Sequence, residues 1–245
     1  AEDGKIRAAI GAYDHDISVC GNTLKTRGIG NVAVHPYARS RGYMKKLMNM
    51  ALDDMIKDGV VLSVLGGRRQ RYNYFSYDKT GYVVSMSLNA DNMRHIFGAE
   101  RNHDIKFVKV GKEDVEILGL IAELSEKQAY HPIRDKERYF EILSSWKQKV
   151  WAGYQNGEFA GYCICNEETV NELELVDKEL ICPFIAALYD HIGKGKLLLK
   201  LPPFCRSYID KLIRICEFYD VEPAKSFSVL NYRAVIEAFL RLKAN

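Results

Sequence analysis

No two cysteines in this chain have the spacing of a metal site or a redox motif. The six, Cys20, Cys163, Cys165, Cys182, Cys205 and Cys216, are scattered, with no Cys-x-x-Cys among them. Nothing in the sequence therefore calls for a metal, and the pattern suits a reducing cytoplasm, which is the expected location. Cys163 and Cys165, two apart on one strand face, read as core thiols. No apolar run approaches the roughly 20 residues of a membrane-spanning helix, and no signal peptide opens the chain, so no membrane partner is expected. There is no polybasic tail either. The 35 Lys and Arg against 32 Asp and Glu leave a net charge of +3. With both signs interspersed, charge argues neither for nor against nucleic acid. At 245 residues and 47% hydrophobic content, the chain is one large domain or two ordinary ones.

What is present is most concentrated at 32–44. A short apolar strand, Val32-Ala33-Val34, runs into a Pro36 turn. Arg39, Ser40, Arg41 and Gly42 follow, and then Tyr43 and Met44. From Met44 the apolar residues Leu47, Met48, Ala51, Leu52, Met55 and Ile56 fall at helical spacing, which predicts one buried face. The helix stops at Asp58-Gly59. The glycine and both arginines thus sit where a strand hands over to a helix N-terminus. Unpaired N–H groups converge there, and the helix dipole favours an anion by about 0.3–1 kcal/mol. With two guanidinium groups added, the place suits a diphosphate.

This segment resembles the acyl-CoA-binding motif of the GNAT superfamily of N-acetyltransferases, Arg/Gln-x-x-Gly-x-Gly/Ala between a strand and a helix. Arg39 and Gly42 match it, and Met44 stands where a small residue is usual. Met44 also begins the buried helix stripe. The resemblance implies that Val32, Ala33 and Val34 pair through their backbone with the pantetheine arm of acetyl-CoA. It makes the Val34 N–H the donor to the thioester oxygen. Arg39, Ser40, Arg41, Gly42, Tyr43 and Met44 would then contact the diphosphate, mainly through backbone N–H groups.

Along the chain, 5–12, 17–23 and 28–34 read as strands separated by turns at 14–16 and 25–26. The near-continuous apolar run 59–65 reads as a buried parallel strand, completing a right-handed βαβ unit with the helix at 42–58. Gly66-Gly67 breaks it. Tyr72-Asn73-Tyr74-Phe75-Ser76-Tyr77 follows and resembles the family's Tyr-x-x-x-Gly-Tyr/Phe element, with Ser76 in place of the glycine. That makes Tyr72 the candidate acid, with Tyr77 as the fallback. Residues 83–88 alternate as a strand, and 98–102 reads as a linker. Beyond it come a strand at 107–110, helices at 112–130 and 134–146, and a hairpin at 150–165 turning on Asn156-Gly157. A strand at 171–176, a helix at 179–191, a strand at 196–201 and a helix at 207–219 complete the series.

That order is the order of a whole GNAT fold. The expected fold class is therefore α/β (α+β), with two tandem GNAT-like units, each a mixed twisted sheet flanked by helices. Residues 1–101 form the catalytic unit, lacking an N-terminal strand and two helices by comparison with the family. Residues 102–228 form a degenerate, non-catalytic unit. Its turn carries Asp177-Lys178-Glu179 and no glycine where the first has Arg39 to Gly42. Tandem units of this kind resemble the Eis-like acetyltransferases, in which a sterol-carrier-like domain follows; 229–245 looks like its start. Members can use a C-terminal carboxylate as base, a role that does not carry over to Asn245. The family often forms hexamers, so a homo-oligomer is expected.

Acetyl transfer sets three tasks. The thioester must be held and polarised, the amine must be neutral, and the thiolate must be protonated. An ammonium with a pKa near 10.4 needs roughly 4–5 kcal/mol to lose its proton at neutral pH. A thiolate with a pKa of about 8.5 takes a proton from a phenol of about 10 when both are positioned. No base stands out. His35 adjoins the site but precedes a proline in a turn. Asp14, His15 and Asp16 either line the acceptor cleft or are merely solvated. Arg68, Arg69 and Arg71, interleaved with Tyr72 and Tyr74, fit a nucleic-acid surface, but the patch is short. Adenosine phosphates or solvent account for it, and no nucleic-acid partner is expected. The expected activity is acetyl-CoA-dependent transfer to a small-molecule or peptide amine. The alternative is an acyl-CoA-binding regulatory protein with little catalysis.

Overall fold

The computed structural model describes residues 1–98 and 104–244, so the linker expected at 98–102 and the role of Asn245 lie largely outside the described residues. In chain order the elements are β1 (Ala8–Asp14), β2 (Ile17–Val19), β3 (Asn22–Leu24), β4 (Thr26–Val34), α1 (Tyr43–Lys57), β5 (Leu62–Leu65), α2 (Arg69–Tyr72) and β6 (Asp78–Asn89). Then come α3 (Ala90–Phe97), β7 (Ile105–Lys109), α4 (Val115–Glu126), β8 (Tyr130–Pro132), α5 (Tyr139–Leu143), β9 (Lys149–Gln155), β10 (Glu158–Asn166) and β11 (Thr169–Leu175). α6 (Ile181–Ile192), β12 (Lys196–Leu201), α7 (Arg206–Leu212), β13 (Phe218–Val229) and α8 (Tyr232–Ala244) complete the chain. The described residues form two compact units that interleave in sequence. One comprises 1–81, 129–134 and 224–245, and the other 82–128 and 135–223.

In the first unit β1 pairs antiparallel with β4, β4 parallel with β5, and β5 antiparallel with the end of β13. The crossover from β4 to β5 is α1, whose Met48 and Met55 are fully buried against Ile29, Val60 and Leu65. Met44, Ala51 and Leu52 pack on the same cluster, as their spacing predicts, whereas Ile56 is exposed. A second cluster joins Ile17, Val19 and Leu24 of the small sheet β3-β2-β8 to Ala238 and Phe239 of α8.

The second unit repeats the pattern. β7, β9, β10 and β11 are joined antiparallel, β11 and β12 are parallel, and β12 is antiparallel to Val84–Asn89 of β6. α6 is the crossover here, with Ile181, Phe184, Ile185 and Leu188 fully buried. Asn156 and Gly157 both have positive φ, 51° and 88°, the turn that an Asn-Gly hairpin requires. Cys163 and Cys165 are buried side by side, their sulfurs 3.7 Å apart.

Three sequence expectations are corrected. The helix expected at 134–146 shrinks to α5, because Asp135 to Arg138 are polar and Trp146 and Lys147 take left-handed φ of 58° and 63°. The helix expected at 207–219 ends with α7, and β13 follows instead. Pro223 and a largely exposed face hide that strand from periodicity. Helix α3 was not expected; it rests on a reciprocal cap, with Asn89 and Asn92 bonding each other's backbone N–H at 3.0 and 2.9 Å.

Candidate functional site

The site begins with a fork in the first sheet. β4 pairs with β5 only from Thr26↔Leu62 to Ile29↔Leu65. From Gly30 to Val34 it keeps β1 on one side, and among the described residues no strand pairs with it on the other. A bulge accompanies the parting. The β1–β4 register shifts between Ala9 and Gly11, and opposite it Asn31 takes φ 52°, its side-chain amide donating to the Tyr13 hydroxyl at 2.5 Å. Such a fork leaves main-chain N–H and C=O groups facing a gap, where an extended amide-bearing chain can pair with them. Val32 and Val34 are half-buried, and Val32 packs into the α1 cluster.

Beyond Val34 the chain makes a short 3-10 turn over Pro36–Ala38, pinned by buried Ala38 and by the His35 N–H donating to Arg7 O at 2.8 Å. Ser40 and Gly42 then take left-handed φ of 63° and 76°, and Gly42 is the N-cap of α1. No side chain caps that helix, so its first-turn N–H groups point outward unclaimed by the protein's side chains. A Cβ built on Gly42 meets nothing within 4 Å, so space lies beside those donors. Arg39 and Ser40 are exposed. The Arg41 guanidinium pairs with Glu2 at 3.1 Å, and Glu2 also lies 3.6 Å from Arg7. The loop thus presents an uncapped helix start with open space at Gly42, and one of its two arginines is shared with a carboxylate.

Tyr72 closes α2, just past the end of β5. Its ring is 7% exposed and packs with Met48, Met55 and Phe75, and it lies directly over Gly67. A Cβ on Gly67 would fall 2.5 Å from that ring, so only glycine lets the tyrosine settle there. Tyr77 serves a different end. It is fully buried, and its hydroxyl is 2.6 Å from Ser63 Oγ. Ser63 commits its proton to Arg27 O at 2.8 Å, so Tyr77 must be the donor to Ser63. Burial raises the Tyr77 pKa. This residue is a buried strut between β5 and β6. Ser76 keeps the left-handed turn that the missing glycine would supply, at φ 62°. Tyr74 is exposed and carries Lys45 over its ring at 4.6 Å.

The carboxylates near the fork are largely engaged. Arg27 pairs with Asp14 and with Asp58, each at 2.8 Å. Asp16 accepts the Thr26 N–H at 2.9 Å. Of the arginine run, Arg69 is claimed by Asp78, a two-point pair at 2.6 and 2.9 Å that holds the Asp78 carboxyl down at about 2. At the base of the fork lies a cleft of 270 Å³ lined by Tyr13, His15, Ile29, Leu65, Gly66 and Lys225, among others. Desolvation, and then the Arg134 charge, lower the His15 pKa, while Asp16 opposes them. Sequence reasoning offered His15 only as one option, and missed Lys225 because it arrives on β13. Among the described residues no cluster of His, Cys, Asp and Glu could hold a metal ion, and no helix is long and apolar enough to cross a membrane.

The second unit has the corresponding fork. β11 and β12 pair only at Thr169↔Leu198 and Val170↔Leu199. Tyr208 follows the end of β12 at the same spacing with which Tyr72 follows the end of β5. Its hydroxyl accepts the N–H of Leu175, the last residue of β11, at 3.1 Å, and faces Glu174 Oε2 at 3.4 Å. That backbone donor, the counterpart of Val34 N–H, is therefore already taken.

Residues 1–84 match the family model for the acetyltransferase (GNAT) domain. No curated protein sequence matches the chain. Among solved structures, a conserved protein of Enterococcus faecalis V583, described as a probable N-acyltransferase, superposes with a TM-score of 0.73 at 17% identity, over 97% of this chain and 63% of that one. A GCN5-related N-acetyltransferase of Kribbella flavida gives 0.66 at 19% identity, over 97% and 61%. Eis1 of Mycobacterium abscessus gives 0.63 at 14%, over 97% and 65%. The chain thus spans less than two thirds of the length of each of these structures. Residues 1–84 thus match a GNAT acetyltransferase domain, and over nearly its whole length the chain has the fold of these solved structures.

Proposed function

We propose that the first unit transfers an acetyl group from acetyl-CoA to a primary amine by direct attack, without a covalent enzyme intermediate. The observation that carries this reading is the fork. β4 leaves β5 at Ile29 and runs on to an uncapped helix through two left-handed residues, Ser40 and Gly42. The pantetheine arm pairs with Val32, Ala33 and Val34, and the diphosphate rests on the N–H groups from Arg39 to Met44. Val34 N–H polarises the thioester oxygen. The amine enters neutral; as its nitrogen bonds the carbonyl carbon the C–S bond breaks, the thiolate takes the Tyr72 proton, and the proton lost by the nitrogen passes to solvent, from which Tyr72 is reprotonated.

Tyr208 supports that role for Tyr72. A tyrosine at the same place in the second unit reaches the backbone N–H at the end of the forked strand. With that donor occupied, and with Asp177 and Glu179 in the turn that follows, the second unit is a non-catalytic copy. The acceptor is a small-molecule or peptide amine, and the assembly is a homo-oligomer.

Tyr72→Phe tests the reading. Turnover of acetyl-CoA in the presence of an amine should fall at least 10²-fold, the usual contribution of a positioned acid, with acetyl-CoA affinity unchanged. A second reading, acyl-CoA binding without catalysis, draws on the burial of Tyr72 among Met48, Met55 and Phe75. It predicts no turnover to lose.

A further inference from the structure

Trp146 is 84% exposed, more than any other large hydrophobic residue described in the second unit. Its backbone is left-handed, at φ 58° and ψ 32°, and Lys147 continues at φ 63°. A bulky side chain takes that conformation at a steric cost, and an indole held in water adds the cost of unburied apolar surface. We propose that Trp146 is an interface anchor that enters the groove between α4 and α5 of a second copy of this chain, the exchange being reciprocal. The proposal rests on the homo-oligomeric assembly put forward above and goes beyond it by naming the contact.

The shape of the groove is the first argument. It is a cleft of 480 Å³, lined on α4 by Val115, Leu118 and Ala122 and on α5 by Tyr139 and Phe140. Positions three and four apart share one helix face, so the three α4 residues form a single apolar wall. Leu118 and Ala122 rest on the cluster around Ile121 and Leu143, whereas Val115 is 73% exposed. Gly119 lies in the same wall, and a Cβ built on it meets nothing within 4 Å. Packing within the chain therefore does not require the glycine, which weakens a helix interior. What it leaves is a flat place where a ring can approach the backbone closely.

Charge is the second. Glu123, Glu126, Glu137 and Glu141 edge the groove, against Lys112 and Lys136. Glu141 is tied to Lys112 at 2.5 Å and Glu123 to Lys127 at 2.7 Å. Glu126 and Glu137 make no ion pair among the described residues. Trp146 is bracketed instead by Lys147 and Lys149, both exposed. A basic anchor thus suits an acidic groove, and such complementarity guides one copy onto another. Placement is the third argument. Trp146 comes five residues after Glu141, the last groove residue on α5, a reach of at most about 18 Å of chain. Anchor and groove share one patch, so a two-fold axis makes both halves of the contact at once. Tryptophan is also among the side chains that most often dominate such contacts.

The experiment is sedimentation velocity of the intact protein from nanomolar to high micromolar concentration. Wild type should reach the mass of two chains or more. Trp146→Ala should fall to half the wild-type mass or less and keep the melting temperature of dissociated wild type, because the exposed ring supports nothing in its own chain. The double variants Lys147→Glu/Lys149→Glu and Glu126→Lys/Glu137→Lys should each dissociate likewise. An equimolar mixture of those two should regain the wild-type mass, since each reversed anchor then meets a reversed groove, and misfolding of either variant cannot produce that gain. Wild-type mass in Trp146→Ala, or a mixture that stays dissociated, overturns the inference and leaves the assembly to another contact. Wild type that stays a single chain at every concentration overturns both the inference and the homo-oligomer, while the acyl-transfer reading stands apart from either result.

Discussion

Glu174 gives the sharpest energetic prediction. Its carboxyl is 7% exposed on β11, and burial, with a smaller push from Glu172, raises its pKa to about 7. Lys178 and the Tyr208 hydroxyl lower it without cancelling the desolvation. The unfolded value is 4.5. A carboxyl whose folded pKa is raised binds its proton more tightly in the folded state. It therefore costs stability as pH rises from the unfolded value through the folded one, and that loss is complete above about 7. The gap corresponds to about 3 kcal/mol at alkaline pH and none below the unfolded pKa. Glu174→Gln keeps the shape and removes the ionisation. Urea unfolding of both proteins at several values between pH 4.5 and 8.5, followed through the transition of the second unit, should show the variant gaining about 3 kcal/mol relative to wild type across that range. A difference that stays flat with pH would refute the reasoning, because the burial argument allows no other pH course.

Gly67→Ala should lower turnover by more than tenfold and destabilise the first unit by about 1–3 kcal/mol, because the new methyl displaces the Tyr72 ring; steady-state kinetics and thermal melting check both. Ser76→Gly should stabilise the same unit by about 1 kcal/mol, since Ser76 is exposed and holds φ 62°, a conformation that glycine adopts without steric penalty. A chemical denaturation midpoint that does not rise would argue that Ser76 makes compensating bonds.

Much of the first unit was legible from local signals. The α1 stripe, the Pro36 turn and the Gly42 hand-over are short-range patterns, and the structure places them as the spacing predicts. Asn156-Gly157 announced its hairpin for the same reason. What stayed hidden depends on distant chain. β13 pairs with β5 across more than half the sequence, and its Pro223 and exposed residues carry no clean alternation, so Lys225 could not be assigned to the cleft. The Asn31 bulge and the Arg27 bonds to Asp14 and Asp58 are likewise matters of register and tertiary contact. Ser76 shows the converse. The residue departs from the motif, but the backbone keeps the turn.

The central claim, that the loop from Arg39 to Met44 binds the diphosphate of acetyl-CoA through main-chain N–H groups, is tested most directly by calorimetric titration of wild type and Gly42→Asp. Aspartate tolerates left-handed φ, and a Cβ at position 42 meets no neighbour within 4 Å, so the variant should fold. Its carboxylate would stand where the diphosphate belongs. The account predicts saturable heat with wild type and at least a tenfold weaker association with the variant. Equal binding by the two proteins, or no heat with wild type, would contradict it.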